Sequence, residues 1–266
     1  MSASRRPALS ERDLTVLRLL LRFRLLTTRQ LQRLVMTDGS PVTRDRRMRA
    51  VLQRLRRIGV VRPLERHIGG IRAGSEGTVY RLTTAGMRAL NHSDGTQRRR
   101  IGGEPGERYV RHILAVSELY VQLTEHTRES ADEVLAFDAE PTSWRSYASA
   151  YGGTLTLRPD AFVRCASGDY EQASFVEVDL ATESPATVGR KCRAYSTYAR
   201  SGTEQRRIGT FPRVVWVVPH ERRRHQVAAV ISRLAPEDQP LYLATTTDEA
   251  VAALLGQLPD SAGGAR

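Results

Sequence analysis

The stretch LRPDAFVRCASGDYEQASFVEVDLATESPATVGRKCRAY, from Leu157 to Tyr195, decides the fold of this chain. Two apolar, β-prone segments, Leu155–Cys165 and Ala173–Leu180, predict strands. They carry Asp160, Glu177 and Asp179. A carboxylate inside a buried strand costs free energy unless a cation, a metal or hydrogen bonds compensate it. Side chains two apart share a strand face, so Glu177 and Asp179 point one way and Val176 and Val178 the other. Asp160, on a paired strand, is placed to converge with the two acids. The following segment, SPATVGRKCRAYSTYARSG, predicts a helix, with Ser184 as cap, Pro185 in the first position and Gly202 at the end. It holds Lys191, the only lysine among 41 basic side chains.

Working outward, PRVVWVVP is wholly apolar, as a buried central strand is. ERRRHQVAAVISRL predicts a helix, LYLATT a short strand and DEAVAALLGQL a last helix. On the N-terminal side, EVLAFDAEPTSW predicts a strand with Glu140 at its end. Before it, ERYVRHILAVSELYVQLTEHTRES predicts a long helix. That helix has apolar residues on more than one face, among them Val110, Ile113, Leu114, Leu119 and Leu123, so it is expected partly to cover the second domain's sheet and partly to meet a partner. The order from residue 108 to 266 is α-β-β-β-α-β, an α/β domain. Residues 92–107, rich in Gly, Pro, Ser and Asp, read as a linker.

Residues 1–91 read differently. LSERDLTVLRLLLRF begins with Ser10 as a helix cap and sets Leu14, Leu17, Leu20 and Leu21 on one face. TTRQLQRLV is a shorter helix capped by Thr27 or Thr28, with Leu31, Leu34 and Val35 inward. VTRDRRMRAVLQRLRRIG is a third, with an apolar stripe of Met48, Val51, Leu52, Leu55 and Ile58 and with Gly59 at its end. Its other face carries Arg44, Arg46, Arg47, Gln53, Arg54 and Arg57. A hairpin with a glycine-rich tip follows, then a helix over TTAGMRAL. The 266-residue chain is thus expected to be α/β with an N-terminal α+β part. Charge divides the same way. Residues 1–100 hold 23 of the 41 basic and 7 of the 29 acidic side chains, a net of +16, and the remainder nets −4. A basic domain beside a mildly acidic one is the footprint of a polyanion-binding protein.

Helix, helix, helix, hairpin, helix is the order of a winged helix-turn-helix, and GTVYRLTTAGMRAL resembles the wing strand and following helix of bacterial winged-helix regulators. That resemblance implies double-stranded DNA as partner, with the third helix in the major groove. Thr43, Arg44, Arg46 and Arg47 would then lie nearest the bases or phosphates, with Arg54 on the same helix and Arg66 and Arg72 reaching out from the hairpin. Winged-helix proteins often dock as two-fold dimers, so a homodimer is expected. In the second domain, Arg158-Pro159-Asp160 and Glu177-Val178-Asp179 resemble the motifs of the PD-(D/E)xK, restriction-endonuclease-like fold. Together with the winged-helix front, RPDAFV, FVEVDLATES and RKCRAY resemble the replication-relaxation family. This implies a role in plasmid or mobile-element replication and DNA relaxation. The nuclease pattern wants lysine where Asp179 stands. In some relatives of that fold the lysine lies on the neighbouring helix, where Lys191 is.

If the resemblance extends to chemistry, Asp160, Glu177 and Asp179 would hold Mg²⁺ or Mn²⁺, hard cations that take few carboxylates and keep waters. Such a metal activates water and steadies charge on a phosphate. Lys191 would add positive charge at the scissile phosphate, and Glu183 would be an outer ligand or base. Against this, each acid has a plain structural alternative: Asp160 as a turn acid after Pro159, and Glu177 and Asp179 in pairing with Arg158, Arg190 or Arg193. The competing functions are a winged-helix transcriptional regulator whose second domain is an inactive dimerisation scaffold, and an active metal-dependent DNA endonuclease. Other classes are poorly supported. Cys165 and Cys192 give neither zinc spacing nor a disulfide framework. No phosphate-loop or dinucleotide fingerprint appears, so no small-molecule cofactor is expected. No apolar run is long enough to span a bilayer, and no secretory signal opens the chain, so no membrane and a cytoplasmic location are expected.

Overall fold

The structure, a computed structural model, describes residues 9–64, 77–94, 105–149 and 152–258. It divides into two compact units, with the boundary at Val121–Gln122. Helices and several small sheets make a mixed α/β chain.

The first unit opens with α1 (Glu11–Phe23). Its start is a reciprocal cap: the Ser10 hydroxyl accepts from the Asp13 amide at 3.3 Å, and the Asp13 carboxylate accepts from the Ser10 amide at 2.8 Å. The buried face is Asp13, Val16, Leu17, Leu20 and Phe23. That is rotated from the expected stripe, because Asp13 is drawn inward by Arg54 and takes Leu14 and Leu21 partly out of the core. After β1 (Leu26–Thr27), helix α2 (Thr28–Val35) starts on Thr27, which forms a second reciprocal cap with Gln30. Leu31 is buried there, while Leu34 and Val35 are only half-buried. Helix α3 (Pro41–Arg57) is capped by Ser40 and buries Met48, Leu52 and Leu55. Then come β2 (Val61–Pro63), β3 (Val79–Leu82) and α4 (Thr84–Asp94). The sheet order is β1-β3-β2, with both pairings antiparallel. Gly86 holds α4 against β2, since a Cβ there would stand 2.2 Å from the Val60 carbonyl oxygen.

Helix α5 (Glu107–Glu129) runs across the boundary. In its first half, Val110, Ile113 and Leu114 are buried with Leu25 and Val79 in the first unit. The Gln30 side-chain Nε2 also donates to the Leu114 carbonyl and to Glu118 Oε2, each at 2.9 Å. Those apolar residues therefore complete the core of the first unit, whereas the sequence reading assigned them to the second domain and a partner.

The second unit is built on β4 (Glu133–Ala139), β5 (Arg145–Ala148), β6 (Thr154–Leu157), β7 (Ala161–Ser167) and β8 (Tyr170–Val178). These are followed by α6 (Pro185–Arg200), α7 (Thr203–Ile208), β9 (Arg213–Val218), α8 (Glu221–Ile231), β10 (Tyr242–Thr246) and α9 (Ala250–Leu254). Five strands form one sheet in the order β10-β9-β8-β7-β4. β4, β7 and β8 are antiparallel neighbours, and β8, β9 and β10 run parallel. Phe162, Phe175, Val214 and Trp216 of the sheet pack with Val188, Cys192, Tyr195 and Tyr198 of α6 and Val227 of α8.

The single strand expected over Leu155–Cys165 is two. Pro159 has no amide hydrogen to give a ladder, and the chain leaves one sheet and enters another there. β6 pairs with β5 in a separate hairpin, and β7 pairs within the main sheet. α7 is also additional: Gly202, at φ 65°, turns the chain after α6 directly into it. Its Glu204 is fully buried, bonded to the Tyr198 hydroxyl and ion-paired with Arg145 and Arg207, which ties the hairpin to the helices. Among the described residues no helix is long and apolar enough to cross a membrane.

Candidate functional site

In the first unit the candidate surface is α3. The Ser40 hydroxyl accepts from the Thr43 amide at 3.3 Å and lies 3.0 Å from the Thr43 hydroxyl, so Thr43 helps to build the helix start. The arginines divide by what holds them. Arg46 and Arg47 are exposed. One Arg47 nitrogen lies 3.5 Å from the Asp38 carbonyl oxygen, a contact at the limit of a hydrogen bond. Arg44 is half-buried, with its Nε shut away from solvent and unpartnered. Arg49 pairs with Asp45 across one helical turn at 3.3 Å.

Arg54 differs from the others. Its guanidinium pairs with Asp13, which is wholly buried. Burial raises the Asp13 carboxyl, but hydrogen bonds from Arg54 and Ser10 outweigh it and hold the pKa below the ordinary value. Arg54 thereby fastens α3 to α1. Arg66 and Arg72 lie outside the described residues.

In the second unit the carboxylates gather where β7, β8, α6 and α8 meet. Asp160 sits just before β7. Its amide donates to the Val176 carbonyl at 3.1 Å, and its Oδ2 accepts from the Val178 amide at 2.8 Å. Its carboxylate thus bridges to the neighbouring strand. Glu140, after β4, donates its amide to the Asp160 carbonyl at 3.1 Å. Glu177 is 2% exposed, with both oxygens taken. Lys191 donates to Oε2 at 2.7 Å and the Tyr195 hydroxyl to Oε1 at 2.6 Å. Lys191 also donates to Glu183 Oε1 at 2.7 Å and stands 5.5 Å from the centre of the Trp216 ring.

Asp179 belongs to a different set. Its Oδ2 accepts from Arg223 Nε at 2.6 Å, and its Oδ1 accepts from the amides of Thr182 and Glu183 at 3.0 and 3.3 Å. It braces the loop into α6 against α8. The alternation of the strand places Glu177 and Asp179 on one face, yet their partners lead to two separate networks.

The electrostatics follow from burial. Desolvation pushes the Glu177 carboxyl up, Asp160 adds to it, and Lys191 and Tyr195 oppose it, which leaves the pKa at about 7. Burial also pulls the Lys191 ammonium down. The carboxylates of Glu177 and Asp160, with hydrogen bonds to Glu177 and Glu183, overcome that and hold its pKa above the ordinary value. Lys191 therefore stays charged.

This donor set does not suit a divalent cation as arranged. Among the described residues no group of three or more His, Cys, Asp or Glu side chains could hold a metal ion. Glu177 and Asp179 already have their oxygens bonded to protein donors, and an ammonium stands between Glu177 and Glu183. Asp160, Glu177, Glu183 and Lys191 do form one electrostatic cluster, and Asp179 stands outside it. Sequence reasoning missed Tyr195 as a partner and Arg223 as the lock on Asp179. Tyr195 lies one helical turn after Lys191, but as part of an apolar stripe it reads as core.

The family profile described as replication-relaxation matches residues 17–214. No curated protein and no solved structure matches the chain.

Proposed function

This chain belongs to the replication-relaxation family, and from that premise we propose that it is a duplex-DNA-binding protein of plasmid or mobile-element replication and DNA relaxation. The first unit acts as a winged helix-turn-helix that lays α3 in the major groove. The observation that carries this reading is the outer face of α3, where Arg46 and Arg47 stand exposed within residues 1–100, which net +16. A homodimer on a two-fold site is the expected form.

The second unit is a nuclease-like scaffold. Its support is the antiparallel β4-β7-β8 set, which continues through α6 into the parallel strand β9, with Asp160 at the entry to β7 and Glu177 on the neighbouring β8. The carboxylate cluster takes its positive charge from Lys191 and supports the fold.

Two measurements on the full chain test the reading. Anisotropy titrations against duplex DNA from low to high salt should show affinity falling steeply, because each neutralised phosphate releases a counterion. No binding to any duplex at low salt would refute the DNA-binding function. Incubation of supercoiled plasmid with Mg²⁺ or Mn²⁺ should leave it intact. Nicking that is lost in Glu177→Gln would replace the scaffold by an endonuclease.

A further inference from the structure

Basic helices bind phosphate without reading sequence, and what reads sequence is contact with base edges. The residues of α3 differ in their freedom to make such contact. Arg49 is engaged by Asp45 and Arg54 by Asp13. Among the described residues, the side chains of Arg46 and Gln53 make no hydrogen bond or ion pair, and both are exposed. One turn before Arg46 stands Val42, which is 79% exposed. Isolated exposed apolar side chains are ordinary on protein surfaces. Val42 differs in its setting, because it lies on the first turn of the helix and, with the small Ala50, is an apolar side chain on a face that otherwise carries arginines and Gln53. The first turn is also the part of a recognition helix that meets base edges.

Val42, Arg46 and Gln53 follow one another at four and seven residues, so they share the outward stripe of α3, opposite Met48, Leu52 and Leu55. From Val42 to Gln53 the helix rises roughly 16 Å, which spans about five base-pair steps. The three side chains are three different readers: an apolar group for the thymine methyl, a guanidinium fork for guanine and a carboxamide for adenine.

We infer that the outward stripe Val42–Arg46–Gln53 is the sequence-reading surface of this protein, with Val42 seated on the 5-methyl group of a thymine in the major groove. This rests on the proposed DNA-binding function and adds to it a direct reading of sequence, with thymine as the base at the helix start. A phosphate-only surface would have no use for a valine at that position. Its exposure also means that replacing it leaves the core of the unit untouched.

The test begins with selection of bound duplexes from a random-sequence pool by the full chain. The selected duplex is then remade with deoxyuridine at each thymine in turn, which removes only the methyl group. At one position the wild type should bind the uracil duplex about fourfold more weakly, the change expected for one buried methyl-sized group of ~0.8 kcal/mol. Val42→Ser should bind thymine and uracil duplexes equally, while keeping the salt dependence of the wild type. The inference is overturned if the wild type binds all uracil duplexes as tightly as the thymine duplex, or if Val42→Ser keeps the discrimination. It is also overturned if Val42→Ser changes the oligomeric state and leaves DNA selection alone, which would make Val42 a protein contact. Failure to bind any duplex would instead refute the DNA-binding function itself, so the two failures are distinguishable.

Discussion

Replacing Lys191 by Met keeps an unbranched chain of similar length and removes the charge that Glu177 faces. Glu177 ordinarily titrates at 4.5, and in the folded protein it does so at about 7. A carboxyl raised in this way holds its proton more tightly folded than unfolded. Its contribution to stability is complete below pH 4.5 and declines by ~1.4 kcal/mol per pH unit until pH reaches about 7. Above that, the wild type levels off, because the carboxylate forms against the ammonium 2.7 Å away. In Lys191→Met there is no ammonium, the carboxyl stays protonated, and the decline continues. From pH 7 to pH 9 the difference would reach ~3 kcal/mol in a dry site. The Lys191 side chain is 31% exposed, so solvent replaces part of its charge and leaves ~2 kcal/mol. Near pH 6 the variant should lose only ~1 kcal/mol, chiefly the contact with Glu183.

Urea unfolding at pH 6, 7, 8 and 9 measures this. The two tryptophans of the chain, Trp144 and Trp216, both lie in the second unit, so their emission follows that unit. A stability loss that is the same at every pH, or that shrinks as pH rises, would refute this account of Glu177 and Lys191.

Three further outcomes are expected. Wild-type melting should not move with millimolar Mn²⁺, because Lys191 already supplies the positive charge; a rise in melting temperature that Glu177→Gln abolishes would show a metal site instead. Arg46→Ala and Arg47→Ala should each reduce the salt slope of DNA binding by about one, whereas Arg54→Ala should leave that slope alone and cost the first unit ~2 kcal/mol by stranding Asp13, as urea unfolding followed by circular dichroism would show. Gly86→Ala should destabilise the first unit by ~2 kcal/mol or more, since its Cβ meets backbone that has no room to yield.

Much of this was legible in the sequence. Ser10 and Ser184 announce helix starts, and the wholly apolar β9 is a central strand as its composition predicts. Lys191 was singled out for being alone, and the structure joins it to Glu177 and Glu183. Long-range partners were not legible. Arg54 reads like its neighbours on α3 until α1 brings Asp13 to it, 41 residues away. Asp179 looks like a companion of Glu177 until α8 presents Arg223, 44 residues on. The first half of α5 shows its apolar side plainly, but periodicity does not name the unit that buries it. Strand alternation gives a face, and only the packed helices decide which carboxylate meets which cation.

The solitary lysine has a physical reason in this packing. Arginine offers a wide, planar fork, and Arg223 sets two of its nitrogens on Oδ2 of Asp179, with a further bond to the Glu183 carbonyl at 2.7 Å. At position 191 the task is different. One compact charge must reach Glu177 and Glu183, at 2.7 Å each, beside the Trp216 ring. An ammonium has three donors around one atom and meets two separate carboxylates without presenting a plane. A guanidinium in the same space would push against Trp216 or withdraw from Glu177, which keeps only Tyr195 besides. Lys191→Arg should therefore lower the stability of the second unit at pH 8, although charge is conserved, and lower it less than Lys191→Met does. If Lys191→Arg proves as stable as wild type at pH 8, any cation suffices there, and the geometry of this cluster does not explain why lysine stands at this one position.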